Sequence, residues 1–165
     1  MEKKILNVVL GGVINRKGEI LLLSRRKEPY IGFWGLPGGK IEFGEHLEET
    51  IKREIKEESD IDVEFVALKG LVHEILHEEK SNEKLAHFLL WICQLAPSHF
   101  EAKESQEGQL KWFPLKTISS HKETLIPSDF LMIKKFFVKK TPSITFHKVK
   151  MVQTKAGYKI TKTDL

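Results

Sequence analysis

The chain has one cysteine, Cys93, among 165 residues. A single thiol excludes an intramolecular disulfide framework, and its place in the apolar run LAHFLLWICQL indicates a small buried side chain rather than a nucleophile. No apolar segment reaches the length that spans a bilayer. The first residues, MEKKILNVVLGG, have too short an apolar stretch for a secretory signal and no small-residue cleavage site. These absences predict a cytoplasmic protein with no membrane partner.

Internal repeats and low-complexity segments are also missing from the sequence. The 41% of hydrophobic and 30% of charged residues are ordinary for a globular protein of this length with one sizeable core. We assign residues 1–140 to the main domain and residues 141–165 to a C-terminal extension, predicted to be a β-hairpin.

Charge is unevenly distributed along the chain. The whole chain carries +4, whereas residues 131–165, with nine lysines and one aspartate, carry +8 and leave −4 for the rest. A basic patch attracts polyphosphate or nucleic acid, but no aromatic platform or nucleic-acid motif accompanies these lysines. We interpret them as a solvated tail. The sequence leaves open whether the extension packs on the domain, forms a homodimer contact or covers a site.

The apolar pattern predicts a mixed α/β domain. Runs at 5–14 and 19–24 predict two strands joined as a hairpin by the turn Asn15-Arg16-Lys17-Gly18. A glycine-dense loop follows at 32–39, and helix formers dominate from Glu45 to Ser59. The remaining predicted elements are strands at 63–76, 84–95 and 110–113, a helix at 128–139 with Ser128 as N-cap and Lys139-Lys140 at its end, and a hairpin with its turn at 154–157.

The helix after the glycine-dense loop is the most informative segment. Residues 45–60 contain seven acids and three bases, a net charge of −4 in a chain of +4. At 100° per residue, Glu58 falls on the apolar stripe of Leu47, Ile51 and Ile55, and Glu54 and Glu57 border it. Glu48 and Glu49 lie nearly opposite, on the predicted solvent side.

This placement of the acids favours a cation site. Three partly buried carboxylates on one side of a helix repel one another, and a divalent cation removes that repulsion. Oxygen ligands without nearby Cys or His suit Mg²⁺ or Mn²⁺ rather than Zn²⁺. Mg²⁺ commonly completes its shell with substrate phosphates, so a di- or polyphosphate is the expected substrate class.

The same residues resemble the Nudix box of MutT-like hydrolases. That pattern is Gly, five residues, Glu, seven residues, Arg-Glu, apolar, any, Glu-Glu, any, Gly, apolar. Residues 39–61 match eight of the nine specified positions. The departure is Asp60 at the last glycine, where the helix ends and a left-handed backbone is common. Asp tolerates that backbone better than most residues, so we expect a small stability cost. The resemblance implies an α/β/α sandwich with a mixed central sheet.

The resemblance also implies roles at the matching positions. Water would attack one phosphorus of a pyrophosphate linkage in a nucleoside di- or triphosphate derivative while the cation neutralises charge on its oxygens. Glu54 is implied as a metal ligand or as the base, and Glu107, with Glu104 as second choice, as an acid from outside the box. The implied metal ligands are Gly38 (carbonyl), Glu54, Glu57, Glu58 and Glu107, and the supporting catalytic residues are Arg53 and Glu45.

The substrate is not identified by this pattern. Phe33 and Trp34 could stack on a base or pack under the loop, and Gly39 and Lys40 are candidate substrate-binding residues on the phosphate-facing loop. A nucleoside triphosphate pyrophosphatase and an ADP-ribose or nucleotide-sugar pyrophosphatase both stay open. Nucleic acid is not expected as a partner, apart from 5′-phosphorylated RNA. A nucleotide sensor without turnover is a further alternative, although such domains typically lose box carboxylates and this chain keeps them.

A competing motif lies at residues 73–77, His-Glu-Ile-Leu-His, which satisfies the H-E-x-x-H pattern of zinc proteases. The chemistry needs His73 and His77 on one helical face with Glu74 as base. The flanking residues instead predict a strand, in which the two histidines would lie about 13 Å apart. We therefore expect no zinc site at these residues.

Overall fold

The computed structural model of the chain describes residues 3–139, 141–154 and 157–164. Its helices are α1 (Leu47–Ser59) and α2 (Pro127–Ile133), with a 3₁₀ helix at Leu115–Thr124 and a π-helical turn at Lys134–Val138. Its strands are β1 (Leu6–Val13), β2 (Glu19–Arg25), β3 (Trp34–Gly35), β4 (Gly38–Lys40), β5 (Val63–His77), β6 (Lys84–Pro97), β7 (Gly108–Pro114), β8 (Val149–Thr154) and β9 (Gly157–Thr163). None of the helices in these residues is both long and apolar enough to cross a membrane.

Two sheets form the centre of the fold. The larger has the order β4-β1-β6-β5, in which β1 and β6 are parallel and the other neighbours antiparallel. The smaller, β3-β2-β7, is antiparallel. With helices packed beside the sheets, this arrangement confirms the predicted α/β sandwich with a mixed central sheet.

Two apolar clusters lie on the two sides of β1, because alternate side chains of a strand point to opposite faces. On one side, Val9 packs in a cluster with Ile51 and Ile55 of α1. On the other, Leu10 packs in a cluster with Phe137. Cys93 is fully buried in the α1 cluster, as its apolar context predicts.

The predicted first hairpin is wrong in its pairing, although its turn forms. Gly18 N–H donates to the Asn15 carbonyl at 3.1 Å, and Gly18 has the positive φ of 75° that such a turn requires. Beyond the single bridge between Ile14 and Ile20, β1 and β2 belong to different sheets. The physical reason is that β4 and β6 occupy both edges of β1, which leaves no edge for β2.

The second predicted helix differs at both ends. It begins with Pro127 at its first position, after Ile126, so Ser128 is not the N-cap. Proline suits this position because its fixed φ is helical and its missing N–H needs no partner there. The α-helix ends at Ile133 and continues as the π-helical turn rather than as α-helix to 139. Lys140, predicted at the helix end, lies outside the described residues.

The C-terminal extension includes the predicted hairpin, formed by β8 and β9. Lys155 and Ala156 of the predicted turn lie outside the described residues. The segment before the hairpin packs on the domain, since Ile144 N–H donates to the Leu68 carbonyl at 2.8 Å and Phe146 contacts Phe65 edge to face. Lys148 Nζ also lies 2.9 Å from a carboxylate oxygen of Glu48 on α1. At least this lysine is paired with an acid rather than free in solvent.

We predict that Gly12→Ala destabilises the fold. A Cβ at Gly12 would lie 2.2–2.7 Å from ring atoms of the buried Phe137, so the ring or strand β1 must shift. Overpacking of this kind typically costs about 1–3 kcal/mol of unfolding free energy, measurable by urea denaturation. Phe137→Leu provides the matched test. The double variant should lose less stability than the sum of the two single variants, and strictly additive losses would contradict the proposed clash.

Candidate active site

Helix α1 begins at Leu47, two residues later than the predicted start at Glu45. Its N-cap, His46, is extended, and the His46 N–H donates to the Glu49 carboxylate at 2.7 Å. Glu49 therefore satisfies a backbone donor at the helix start, and Glu48 binds Lys52 and Lys148. Their place on the helix suggested that Glu48 and Glu49 are only solvated surface. In the structure both acids instead have partners.

The end of α1 has the backbone that the sequence predicts. Asp60 adopts the left-handed conformation, with φ 59° and ψ 17°, and its N–H donates to the Lys56 carbonyl at 2.9 Å. The Asp60 side chain pairs with Lys56 at 3.0 Å and Lys103 at 2.7 Å. The residue that departs from the family pattern thus ends the helix as a glycine would.

The glycine loop lies directly against the carboxylates of α1. Gly38 N–H donates to Glu58 Oε2 at 3.0 Å. A Cβ at Gly38 would lie 2.0 Å from the Val9 carbonyl oxygen, and one at Gly39 would lie 2.3–2.4 Å from the Glu54 carboxyl group. Two glycines are therefore needed for the loop backbone to approach both Glu54 and Glu58.

Burial raises the pKa values of two of the helix acids. Glu58 is 5% exposed, and burial, together with the charges of Glu54 and Glu107, raises its pKa to about 8. Burial also raises the pKa of Glu54, opposed by its hydrogen bond from Arg53. Repulsion among these carboxylates is the effect that the sequence predicted for this side of the helix.

Arg53 holds the acidic cluster together. Its guanidinium binds both oxygens of Glu45, with Nε at 2.7 Å and an amino nitrogen at 2.9 Å, and it reaches Glu54 at 2.8 Å and Glu57 at 3.4 Å. The Arg53 bonds, with that of Thr50, lower the Glu45 pKa to about 2. Arg53 and Glu45 thus position the neighbouring acids, which fits supporting roles.

The acid from outside the box is brought to the same place. Glu107 lies in the short segment before β7, pairs with Lys27, and contributes its charge to the raised pKa of Glu58. Glu104, the second choice, instead lies 3.9 Å from Arg26. The position of Glu107 therefore supports it over Glu104.

Three acids of α1 and Glu107 line one cavity of about 880 Å³. Its wall includes Gly38, Gly39 and Lys40 of the glycine loop and the carboxylates of Glu54, Glu57, Glu58 and Glu107. It also includes a basic triplet, Arg25, Arg26 and Lys27, at the end of β2. Sequence reasoning missed this triplet, although three consecutive bases at the end of an apolar strand were a readable signal. Acids and bases together suit a phosphate ligand carried with a cation.

Phe33 and Trp34, for which stacking on a base and packing under the loop were both left open, do not line this cavity. Trp34 packs edge to face on Phe113, with ring centroids 5.2 Å apart, next to the core cluster. Phe33 is 39% exposed and borders a separate hollow beside α2. Trp34 therefore fits the alternative in which the ring packs under the loop, because β3 directs its ring inward. Tyr30 and Phe88 are the aromatic residues that line the cavity, and neither was singled out from the sequence.

A second group of acids also lines the cavity. Asp129 is 5% exposed and accepts the Leu36 N–H at 2.7 Å, and burial raises its pKa to about 7. The Tyr30 hydroxyl donates to Glu74 Oε1 at 2.9 Å, and burial and this bond raise the Tyr30 pKa. Glu74 and Asp129 are 55 positions apart, so no local pattern could have predicted that they share a cavity with the box.

The zinc-protease motif lies on strand β5, not on a helix. His73 stacks on His87 of β6, with ring centroids 4.7 Å apart, and His77 Nδ1 lies 2.9 Å from the Asn82 amide oxygen. Both histidines are exposed, whereas Glu74 lines the cavity. The strand that the flanking residues predicted is therefore present, and the two histidines have separate partners on it.

The carboxylates of the cavity fit a hard divalent cation by their chemistry. In residues 3–139, 141–154 and 157–164, no three His, Cys, Asp or Glu side chains are placed so that they could already hold a metal ion. Each acid has its own partner instead: Arg53 for Glu54 and Glu57, Gly38 N–H for Glu58, and Lys27 for Glu107. A buried carboxylate with a raised pKa beside further acids is nevertheless the donor set that a divalent cation stabilises.

Comparisons with known proteins identify the family to which the chain is similar. The profile of the NUDIX domain matches residues 4–136. The 8-oxo-dGTP diphosphatase of Haemophilus influenzae is 32% identical over 109 residues, 66% of this chain and 76% of that protein. The ADP-ribose pyrophosphatase of Methanocaldococcus jannaschii is 41% identical over 64 residues, 39% of this chain and 38% of that protein. A MutT protein structure from Bacillus halodurans aligns with a TM-score of 0.67 and 25% identity over 96% of each chain.

The fold and the site together define an α/β sandwich in which an acidic helix faces a glycine loop. With the NUDIX profile matching most of its length, the chain belongs to the Nudix family of MutT-like hydrolases. The chain spans only 38%, 34% and 34% of the length of the first three curated relatives that it matches.

We predict that Asp129→Asn changes the pH dependence of stability. Because burial raises the Asp129 pKa from 3.8 to about 7, the native state binds this proton more tightly than the unfolded chain. The stabilisation from that proton is complete below about pH 3.8 and is lost as the pH rises through about 7. Asparagine stays neutral and can still accept the Leu36 N–H.

The measurement is urea unfolding of both proteins from pH 4 to pH 8. Wild type should lose unfolding free energy relative to Asp129→Asn, by at most about 1.4 kcal/mol per pH unit within that window. The exposed Asp62→Asn variant should follow the wild-type profile. Parallel profiles for wild type and Asp129→Asn would show that Asp129 is not protonated in this way.

Proposed function

We propose that this chain is a Mg²⁺- or Mn²⁺-dependent hydrolase that cleaves a pyrophosphate linkage in a nucleoside di- or triphosphate derivative. The observation that carries the proposal is the buried Glu58, which accepts the Gly38 N–H and lies beside Glu54 in a cavity that also contains basic residues. Relatives named as an 8-oxo-dGTP diphosphatase and an ADP-ribose pyrophosphatase support this substrate class.

The proposed ligands of the cation are Glu57, Glu58, Glu54, Glu107 and the Gly38 carbonyl. When bound, the cation supplies charge neutralisation at the phosphate oxygens and lowers the pKa of bound water. The glycine loop keeps Glu58 in place through its N–H, and Gly39 leaves room for Glu54. These contacts preorganise the acids before a ligand arrives.

The basic residues of the cavity are proposed to hold the phosphates. Arg25, Arg26, Lys27 and Lys40 all line it. Arg25 is oriented by its Nε–H, which donates to the Pro29 carbonyl at 2.9 Å, and Lys27 is paired with Glu107. Charges held in place by the protein can bind a phosphate with little reorganisation.

We assign Glu54 rather than Glu58 to receive the proton of the attacking water, because Glu58 is buried and already accepts the Gly38 N–H. Burial raises the pKa of Glu54, so it accepts a proton more readily than an exposed glutamate, and Arg53 fixes its orientation. The same residue is the ligand in the alternative assignment. In either role Glu54 acts at the reacting group, whereas Arg53 and Glu45 act by positioning it.

We predict that Glu58→Gln or Glu57→Gln abolishes metal-dependent hydrolysis with the fold intact. Each change removes a negative charge from the cation site, and a loss of at least about 100-fold in kcat is expected. Glu58→Gln should fold because this position already favours the neutral carboxyl group. The readouts are phosphate release with Mg²⁺ or Mn²⁺ and thermal melting. Glu64→Gln, an exposed change on β5, is the matched control, and full activity in both site variants would disprove the assignment.

The substrate is tested by a release assay over nucleoside triphosphates, ADP-ribose, nucleotide sugars, dinucleoside polyphosphates and 5′-triphosphate RNA. We expect one of the nucleotide classes to be hydrolysed best, with activity lost in EDTA and restored by Mg²⁺ or Mn²⁺. Inactivity on every compound, combined with tight nucleotide binding, would contradict catalysis and support a sensor.

A further inference from the structure

The glutamate of the H-E-x-x-H motif has a position that the proposed reaction does not use. Side chains alternate along strand β5, so His73 and His77 point to one face and Glu74 to the other. Glu74 lines the same cavity as the carboxylates of α1. The pattern that fails as a zinc site therefore delivers an acid into the proposed substrate cavity.

The two carboxylate oxygens of Glu74 differ in their hydrogen bonding. The Tyr30 hydroxyl donates to Oε1 at 2.9 Å, which fixes the direction of the carboxyl group. Within the part of the chain that the structure describes, Oε2 is buried and has no hydrogen-bond partner. Buried acceptors in folded proteins are nearly always paired, so an unpaired one on a residue that lines a cavity indicates that a ligand supplies the donor.

A second buried acid lies near Glu74. Asp129 lines the same region of the cavity, and its charge, like that of Glu74, raises the Tyr30 pKa. Leu36 N–H donates to Asp129, and Arg25, whose charge acts on Tyr30 and Asp129, donates its Nε–H to the Pro29 carbonyl. Among the described residues none donates to the second oxygen of Glu74, so a ligand that pairs with it must bring an N–H or O–H donor.

The shape of the wall indicates which part of a nucleotide lies here. Apolar and aromatic side chains line the cavity together with Glu74, namely Leu36, Phe88, Leu90 and Ile126. A nucleobase has a flat apolar face and N–H donors on its edge, which matches this combination. The charges that most perturb Glu58 are Glu54 and Glu107, a different group of acids, and these are proposed to serve the phosphates.

We propose that the Glu74 carboxylate accepts a hydrogen bond from the exocyclic amino group of the substrate's nucleobase, and so selects bases that carry one. This assignment rests on the proposed function, because it takes the cavity to bind a nucleotide. Tyr30 is the positioning residue, since its hydroxyl holds the carboxyl group. Adenine and guanine both supply such an amino group, and the experiment separates them.

The test compares matched nucleotide pairs that differ in one amino group, GTP with ITP and ATP with purine riboside triphosphate. Wild type should prefer the amino-bearing member of at least one pair by about tenfold in KM, because its absence leaves the buried oxygen unpaired. In Glu74→Leu this preference should fall to about twofold or less. Glu79→Gln, an exposed change just after β5, should keep the wild-type preference.

Tyr30→Phe is the second variant, in case Glu74→Leu does not fold. It keeps the carboxylate but removes the group that orients it, so the preference should fall by about threefold without vanishing. An unchanged preference in both variants would overturn the proposal. So would a wild-type enzyme that ignores the amino group in both pairs, or one that discriminates ribose from 2′-deoxyribose instead.

A binding measurement separates the inference from the proposed function. In EDTA, calorimetry with the pairs GMP and IMP, and AMP and purine riboside monophosphate, reports base recognition without turnover. Hydrolysis with no amino preference overturns only the role of Glu74. An amino preference in binding that Glu74→Leu removes, without hydrolysis of any triphosphate, supports Glu74 and contradicts the catalytic proposal.

Discussion

The hydrogen bond from Gly38 N–H to the buried carboxylate of Glu58 is the contact on which the site depends. It joins the glycine loop to α1, and the end of that loop belongs to β4, which pairs with β1 at the edge of the larger sheet. Side chains larger than hydrogen at Gly38 or Gly39 would collide with β1 or with Glu54. The loop sequence and the helix sequence therefore constrain each other, because the narrow space between the loop backbone and α1 must hold the carboxylates.

Burial makes the ionised form of Glu58 unfavourable. A lone buried carboxylate favours its neutral form, and neighbouring acids increase that preference. Arg53 does not neutralise Glu58; its strongest contact is the two-point pair with Glu45, outside the helix. Arg53 therefore organises the outer acids, and the ionised form of Glu58 is favoured only by the Gly38 N–H and by the charge of Arg25. A cation would stabilise that ionised form, and this is the physical basis for proposing a cation rather than a salt bridge.

Features with a short sequence range were predictable, and those that depend on pairing across the fold were not. The stripe that places Glu58 inward follows from helical geometry alone, and Asp60 at the helix end follows from local backbone preference. The strands that pair with β1 do not follow from local sequence. A good turn at Asn15 favours a hairpin of β1 and β2, and only competition from β4 and β6 excludes that pairing. Trp34 is ambiguous for the same reason, because its environment comes from β7 and Phe113.

The H-E-x-x-H motif shows how such a pattern depends on the element that carries it. On a helix, the first and last residues of the motif share a face with a spacing suited to one ion; on a strand, they share a face but are far apart. The intervening glutamate then takes the opposite face, which on β5 lines the cavity. Zinc chemistry that needs all three residues together is therefore not expected here, but the position of Glu74 is still informative. In β5 the same alternation that separates Glu74 from the histidines places its carboxyl group in the wall of the cavity, where the Tyr30 hydroxyl holds one of its oxygens.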